Sequence, residues 1–216
     1  MSAEVPRLFV FARHAESTAN TAHVLSSAPS RPVALTERGR AQARALGAQL
    51  ANAHIDLAVG TRFLRTQETI DIALHGRHVP VLIEPGFDEL QAGDLDGAPM
   101  EAYWSWKHQH TLGDRLPHGE SPHDAFRRHA DALRRLLART ETVTLVVLHE
   151  FALRYIALAV AADGSDLPAE AVGNAVPFLF DEHAVGRAAA SLDAMATSSQ
   201  PQPGPRRGAE TGEAEG

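Results

Sequence analysis

Two histidines stand directly after strongly apolar runs. "LFVFAR" at residues 8–13 leads into His14, and "TVTLVVL" at 142–148 leads into His149. Arg13 adjoins the first histidine. Arg65 follows a third apolar run, "IDLAVG" at 55–60, at the start of a helical segment. An arginine against a histidine at a strand exit brings two cationic groups together, which is costly unless an anion lies between them. Guanidinium forks match phosphate oxygens. One imidazole can attack phosphorus while a second hydrogen-bonds the transferring group. A phosphate held by Arg13, Arg65 and the two histidines is the chemistry these residue types suit.

The elements that must position them alternate between strand and helix. Apolar runs at 8–12, 55–60, 79–85, 142–148 and 175–180 read as strands. Helical patterns cover 36–54, with Thr36 as N-cap, then 63–75, 121–140 and the segment after His149. The last strand is expected to pair with 186–194. Residues 86–120 show weak periodicity, several glycines and a cluster of Tyr103, Trp104 and Trp106, and read as irregular. The predicted fold class is α/β: a three-layer sandwich, with a mostly parallel central sheet and helices on both faces. In such sheets ligands bind beyond the carboxyl ends of the strands, where both histidines fall. One domain is expected over 1–195, with an active-site cover at about 90–120. Residues 196–216, rich in Pro, Gly, Ser and Glu, read as a disordered tail.

Composition removes several alternatives. The chain has no cysteine, which excludes disulfides, thiolate metal sites and a thiol nucleophile. A formal net charge of −7 argues against nucleic acid or an anionic membrane as partner. No apolar run reaches spanning length, and "MSAEVPR" has no signal-peptide core, so a cytoplasmic protein is expected. The pairs His108/His110 and His75/His78 lack carboxylates at completing spacings, so no metal and no cofactor is expected. The basic run at 126–139 reads as a solvated helix face. The partner is a small phosphorylated substrate, and a homodimer is left open.

"RHAEST" at 13–18, followed by Asn20, resembles the signature of the histidine phosphatase superfamily, the phosphoglycerate-mutase-like proteins. Further stretches follow in that family's order: "LTERGRAQA" at 35–43, "TRFLRTQET" at 61–69 and "FDELQAGDLDG" at 87–97. "LPHGES" at 116–121, "VVLHEFALR" at 146–154 and Asn174 ahead of the last strand complete the series. The resemblance covers about 8–195. It implies that His14 becomes phosphohistidine, that Arg13, Arg65 and His149 hold the phosphoryl oxygens, and that Asn20 lines the pocket. It also implies that Glu89 gives a proton to the leaving oxygen, with Asp88 as runner-up. The segment carrying Tyr103, Trp104, Trp106 and Lys107 would cover the site and set substrate choice.

Three positions depart from the family pattern. Glu150 stands where glycine is usual and is expected to point away from the phosphate, orienting His149 or contacting Arg154. Ala15 also replaces a glycine, and Thr61 stands in for a serine. The expected activity is that of a metal-independent phosphatase acting on a small phosphorylated metabolite. The alternatives are a phosphoglycerate mutase, which returns the phosphoryl group to a sugar-acid hydroxyl, and a non-catalytic phospho-ligand-binding regulatory member. The short stretch from Glu89 to Pro117 favours hydrolysis, and retention of Arg13, His14, Arg65, Glu89 and His149 favours catalysis.

Overall fold

The computed structural model describes residues 6–161 and 172–198. Among them β1 (Leu8–Arg13), β2 (Leu57–Gly60), β3 (Val81–Ile83), β4 (Val143–Leu148) and β5 (Pro177–Asp181) form one sheet, in the order β3-β2-β4-β1-β5. All neighbours are parallel except β5, which runs antiparallel to β1 at the edge. β1 and β4 are buried along most of their length, which is why they read as continuous apolar runs rather than alternating ones.

Alternate residues of the central strands feed two cores. Phe9, Phe11, Val59, Val146 and Leu148 face one layer, made by α5 (Pro122–Leu137), α6 (Glu150–Ala161) and α7 (Glu182–Met195). Val10, Ala12, Ala58, Leu145 and Val147 face the other, made by α2 (Glu37–Gln49) and α3 (Leu64–Ala73). The result is the expected three-layer sandwich. None of the described helices is long and apolar enough to cross a membrane.

Two local expectations are corrected. Residues 186–194 are not a strand; they belong to α7, capped by Asp181 accepting from the Ala184 amide at 2.7 Å. Buried Ala184, Val185, Ala188, Ala189 and Leu192 follow helical spacing, and the small alanines allow close packing. The region expected to be irregular contains α4 (Met100–Gln109). Its stripe is hard to read because a lysine, Lys107, occupies one of its two buried positions. A short α1 (Thr18–Thr21) closes the turn after His14. The last helix ends on Ala196, itself buried, and residues 199–216 of the expected tail lie outside the described residues.

The "LTERGRAQA" stretch now has a physical reading. The Thr36 side chain caps α2 by accepting from the Gly39 amide at 2.9 Å. Gly39 lies where α2 presses on the turn after His14: a Cβ there would stand 2.0 Å from the carbonyl oxygen of Glu16. Alanine favours helix by roughly 1 kcal/mol over glycine, so an open site would gain from the change. Here the overlap with backbone wins. Gly39→Ala is expected to destabilise the fold by about 1–3 kcal/mol. Urea denaturation checks this, and an unchanged or raised midpoint would show that the contact yields freely.

Candidate active site

The parallel register sets Arg13 beside Leu148, and the His14 amide donates to the Leu148 carbonyl at 2.9 Å. The next residue on each strand is therefore a histidine, and the His14 and His149 rings lie 5.4 Å apart. Both are buried. β2 ends one strand further along, and the turn after it starts α3, which carries Arg65 in its first turn. Three consecutive strand exits thus supply His14, His149 and Arg65.

Hydrogen bonds fix the chemistry of each ring. His14 Nδ1 lies 2.8 Å from the Ala15 carbonyl oxygen, an acceptor only, so Nδ1 carries the hydrogen. Its Nε2 then holds the lone pair, which accepts from Arg65 Nε at 3.1 Å. The Ala15 peptide is held in turn by Thr69, whose hydroxyl accepts from the Ala15 amide at 3.0 Å and donates to the Arg65 carbonyl at 2.7 Å. The Asn174 side chain donates to the His14 carbonyl at 2.8 Å.

Arg65 is 3% exposed and serves several partners. Its Nη2 donates to His149 Nδ1 and to the Ser26 carbonyl, both at 3.0 Å, and its Nη1 donates to the Ser26 hydroxyl at 3.1 Å. His149 Nε2 pairs with the Thr61 hydroxyl at 3.0 Å, which sits 2.9 Å from the Thr66 hydroxyl. Thr61 can accept from or donate to that ring. His149 can therefore present a lone pair to Arg65 or an N–H to an anion at Nδ1.

Electrostatics keep the site in a definite state. Burial, then Arg65 and Arg13, hold the His14 pKa well below the usual 6.5, so the ring is neutral at physiological pH. Burial and then Arg65 do the same to His149. Burial also lowers Arg65, to about 10, which leaves it charged. Glu89 moves the other way: enclosure pushes its pKa up, against the pull of Arg65. Its Oε2 lies 4.0 Å from His149 Nδ1 and its Oε1 accepts from the Leu90 amide at 2.9 Å. Asp88 is locked on Arg62, with Arg62 Nε donating to Oδ2 at 2.6 Å, so Glu89 is the carboxyl left beside His149.

Arg13 sits at the rim of the cluster. Its Nη1 donates to the Val172 carbonyl at 3.0 Å and pairs with Glu150 at 3.1 Å, while its buried Nε has no partner among the described residues. Glu150 bridges Arg13 and Arg154. The expected contact with Arg154 is present, the contact with Arg13 was not foreseen, and His149 is oriented by Thr61 instead. Asn20 lies outside the hydrogen-bonded cluster: its side-chain oxygen accepts from the Ser17 amide and hydroxyl, closing the α1 turn. Among the described residues no group of three or more His, Asp or Glu could hold a metal ion.

The loop that carries Glu89 is held from α5. Arg128 donates to the carbonyls of Gly86, Asp88 and Glu89 and pairs with Glu120, which accepts from the Gln91 amide. Gly93 has φ +57°, and a Cβ on it would meet the Pro117 carbonyl at 2.0 Å, so the two glycine-bearing stretches fit closely together. Arg128 was read as part of a solvated face. Its helical spacing from Ala125 and Ala132, both buried, was the available signal.

The sheet order and layers are those of the phosphoglycerate-mutase-like fold, with its site at the carboxyl edge. The chain belongs to the histidine phosphatase superfamily (branch 1), whose family model matches residues 9–176. It is 33% identical over 100 residues to an adenosylcobalamin/alpha-ribazole phosphatase of Salmonella typhimurium, covering 46% of this chain and 44% of that protein. It is 30% identical over 128 residues to the probable phosphoglycerate mutase GpmB of Yersinia pestis, covering 56% and 59%. Each alignment spans less than two thirds of the relative's own length. The alpha-ribazole phosphatase structure from Shigella flexneri superimposes with a TM-score of 0.68 at 24% identity, over 80% of this chain and 89% of that one. Bacillus stearothermophilus YhfR gives 0.67 at 22% identity, over 80% and 90%.

Arg128→Met should cost about 3–5 kcal/mol, because it leaves the buried Glu120 carboxylate without its cation. An unfolding free energy from urea denaturation that falls by less than about 0.5 kcal/mol, the range for a solvated surface residue, would contradict the role given to Arg128.

Proposed function

We propose that this chain is a metal-independent phosphomonoesterase that passes the phosphoryl group of a small phosphorylated metabolite through His14 to water. The observation that carries the reading is the tautomer of His14. A carbonyl oxygen holds the Nδ1 hydrogen, and the Nε2 lone pair points at an arginine. As an ester's phosphate enters, the Arg65 donors turn from the imidazoles to its oxygens, and Nε2 is freed to attack in line.

Nε2 forms a bond to phosphorus as the P–O bond to the leaving group breaks. The leaving oxygen takes the proton of Glu89, whose raised pKa keeps it protonated further toward neutrality. Arg65, the unpartnered Arg13 Nε and His149 Nδ1–H neutralise charge on the equatorial oxygens. Water then attacks the phosphohistidine, Glu89 carboxylate takes its proton, and inorganic phosphate leaves with His14 neutral again. The family membership and the phosphatase relative support this reading. Water, rather than a sugar-acid hydroxyl, is supported as acceptor by the short cover and by the largely apolar lining of the cleft beside Glu89.

A general acid matters most where the leaving oxygen is most basic. Glu89→Gln is expected to lower kcat/KM on alkyl phosphates by roughly 10²–10⁴ and far less on p-nitrophenyl phosphate. In the wild type the alkyl-ester rate should fall as pH rises through the raised Glu89 pKa, since only the protonated form donates. That alkaline limb should be missing in Glu89→Gln. Equal losses on both ester types, or an unchanged limb, would remove Glu89 from the proton-donor role.

A further inference from the structure

A cleft with an empty volume of about 670 Å³ opens beside Glu89. Leu25, Met100, Tyr103, Trp104, Phe151 and Tyr155 supply most of its wall. If Glu89 protonates the leaving oxygen, whatever hangs from that oxygen enters this cleft. Its walls are mostly aromatic and aliphatic, a poor match for a polyol or a small sugar acid, most of whose hydroxyls would lose water without gaining partners.

Two cations, Lys107 and Arg154, and two carboxylates, Glu89 and Glu150, interrupt this lining. Lys107 is only 8% exposed, lines the cleft, lies 5.3 Å from the Trp104 ring centroid and has no ion pair among the described residues. An ammonium enclosed this far normally has a carboxylate beside it. Arg154 also lines the cleft and pairs at 3.0 Å with Glu150, which it shares with Arg13, while its Nε is buried without a partner among the described residues. Arg154 thus has a carboxylate beside it, and Lys107 has none among the described residues.

Resting on the phosphatase reading above, we infer that the substrate is the phosphate monoester of an alcohol with a flat aromatic body and a carboxylate at its far end. The ring lies among Tyr103, Trp104 and Phe151, and the carboxylate meets Lys107. The Arg154 Nε–H is a second donor toward polar atoms of the same group. Trp104 and Lys107 are therefore specificity residues.

Four primary-alcohol phosphates separate the two features while keeping leaving-group basicity similar: 2-(4-carboxyphenyl)ethyl phosphate, 2-phenylethyl phosphate, 3-phosphoglycerate and glycerol 3-phosphate. The expected order of kcat/KM is the order given, with the first two separated by roughly tenfold and 2-phenylethyl over glycerol 3-phosphate by tenfold or more, as one pocket group can discriminate. Trp104→Ala should collapse the ratio of 2-phenylethyl to glycerol 3-phosphate. Lys107→Met should collapse the ratio of the carboxylated to the plain phenylethyl ester. Ratios on one preparation are insensitive to a lowered folded fraction. If glycerol 3-phosphate or 3-phosphoglycerate is hydrolysed as well as the phenylethyl esters, or either variant keeps its ratio, the inference is overturned while the phosphatase reading stands. If none of the four is hydrolysed and vanadate does not bind, both are overturned.

Discussion

The site depends on one buried guanidinium set between two imidazoles. Arg65 donates to His14 Nε2 at 3.1 Å and to His149 Nδ1 at 3.0 Å. Burial, and then the cation there, keep both rings neutral, and its donors hold both lone pairs pointed toward one place. Burial lowers the Arg65 pKa, yet it stays charged, because guanidinium begins so far above neutrality. A lysine could not do this: its charge would be easier to lose on burial, and it lacks the fork that reaches both rings. The arrangement is a charged donor set without a matching anion among its direct partners, which is the condition for taking one from solution.

The scaffold supplies the precision. Adjacent parallel strands in register deliver His14 and His149 side by side, and α3, starting just beyond the end of β2, delivers Arg65. Threonines lock these exits: Thr61 and Thr66 behind His149, and Thr69 on the amide of Ala15, the residue whose carbonyl sets the His14 tautomer. Glu89 comes from a loop with no strand to hold it. Arg128 and Glu120 replace that support with side-chain bonds to the loop's backbone. Glu150, at the position usually held by glycine, bridges the rim arginine to the arginine of the neighbouring cleft.

Strand exits were legible because a doubly buried parallel strand is almost wholly apolar until it ends, with Thr144 the single polar residue inside β4, so Arg13-His14 and Leu148-His149 announce themselves. Helices with a cap and an apolar stripe, such as α2 and α5, were legible for the same reason of periodicity. α4 was not, since its buried lysine breaks the stripe, and neither was α7, since Gly186 interrupts it and its buried face is mostly alanine, which marks an apolar stripe only weakly. Within the site, His14, His149, Arg65 and Glu89 come together from separate segments. Arg13 holds the rim, and Asn20 is used by its own turn. Ser26 gave no signal, because a serine in an irregular segment becomes a partner of Arg65 only through tertiary folding. Arg128 did give one, in its spacing from buried alanines.

Covalent phosphoryl transfer to His14 is tested most directly by rapid quenching of the enzyme with ³²P-labelled substrate in the first turnover. The expected product is a base-stable, acid-labile phosphoprotein with the label on Nε2 of His14, missing in His14→Ala. Label on a serine or threonine, or rapid turnover with no protein-bound phosphate, would contradict it.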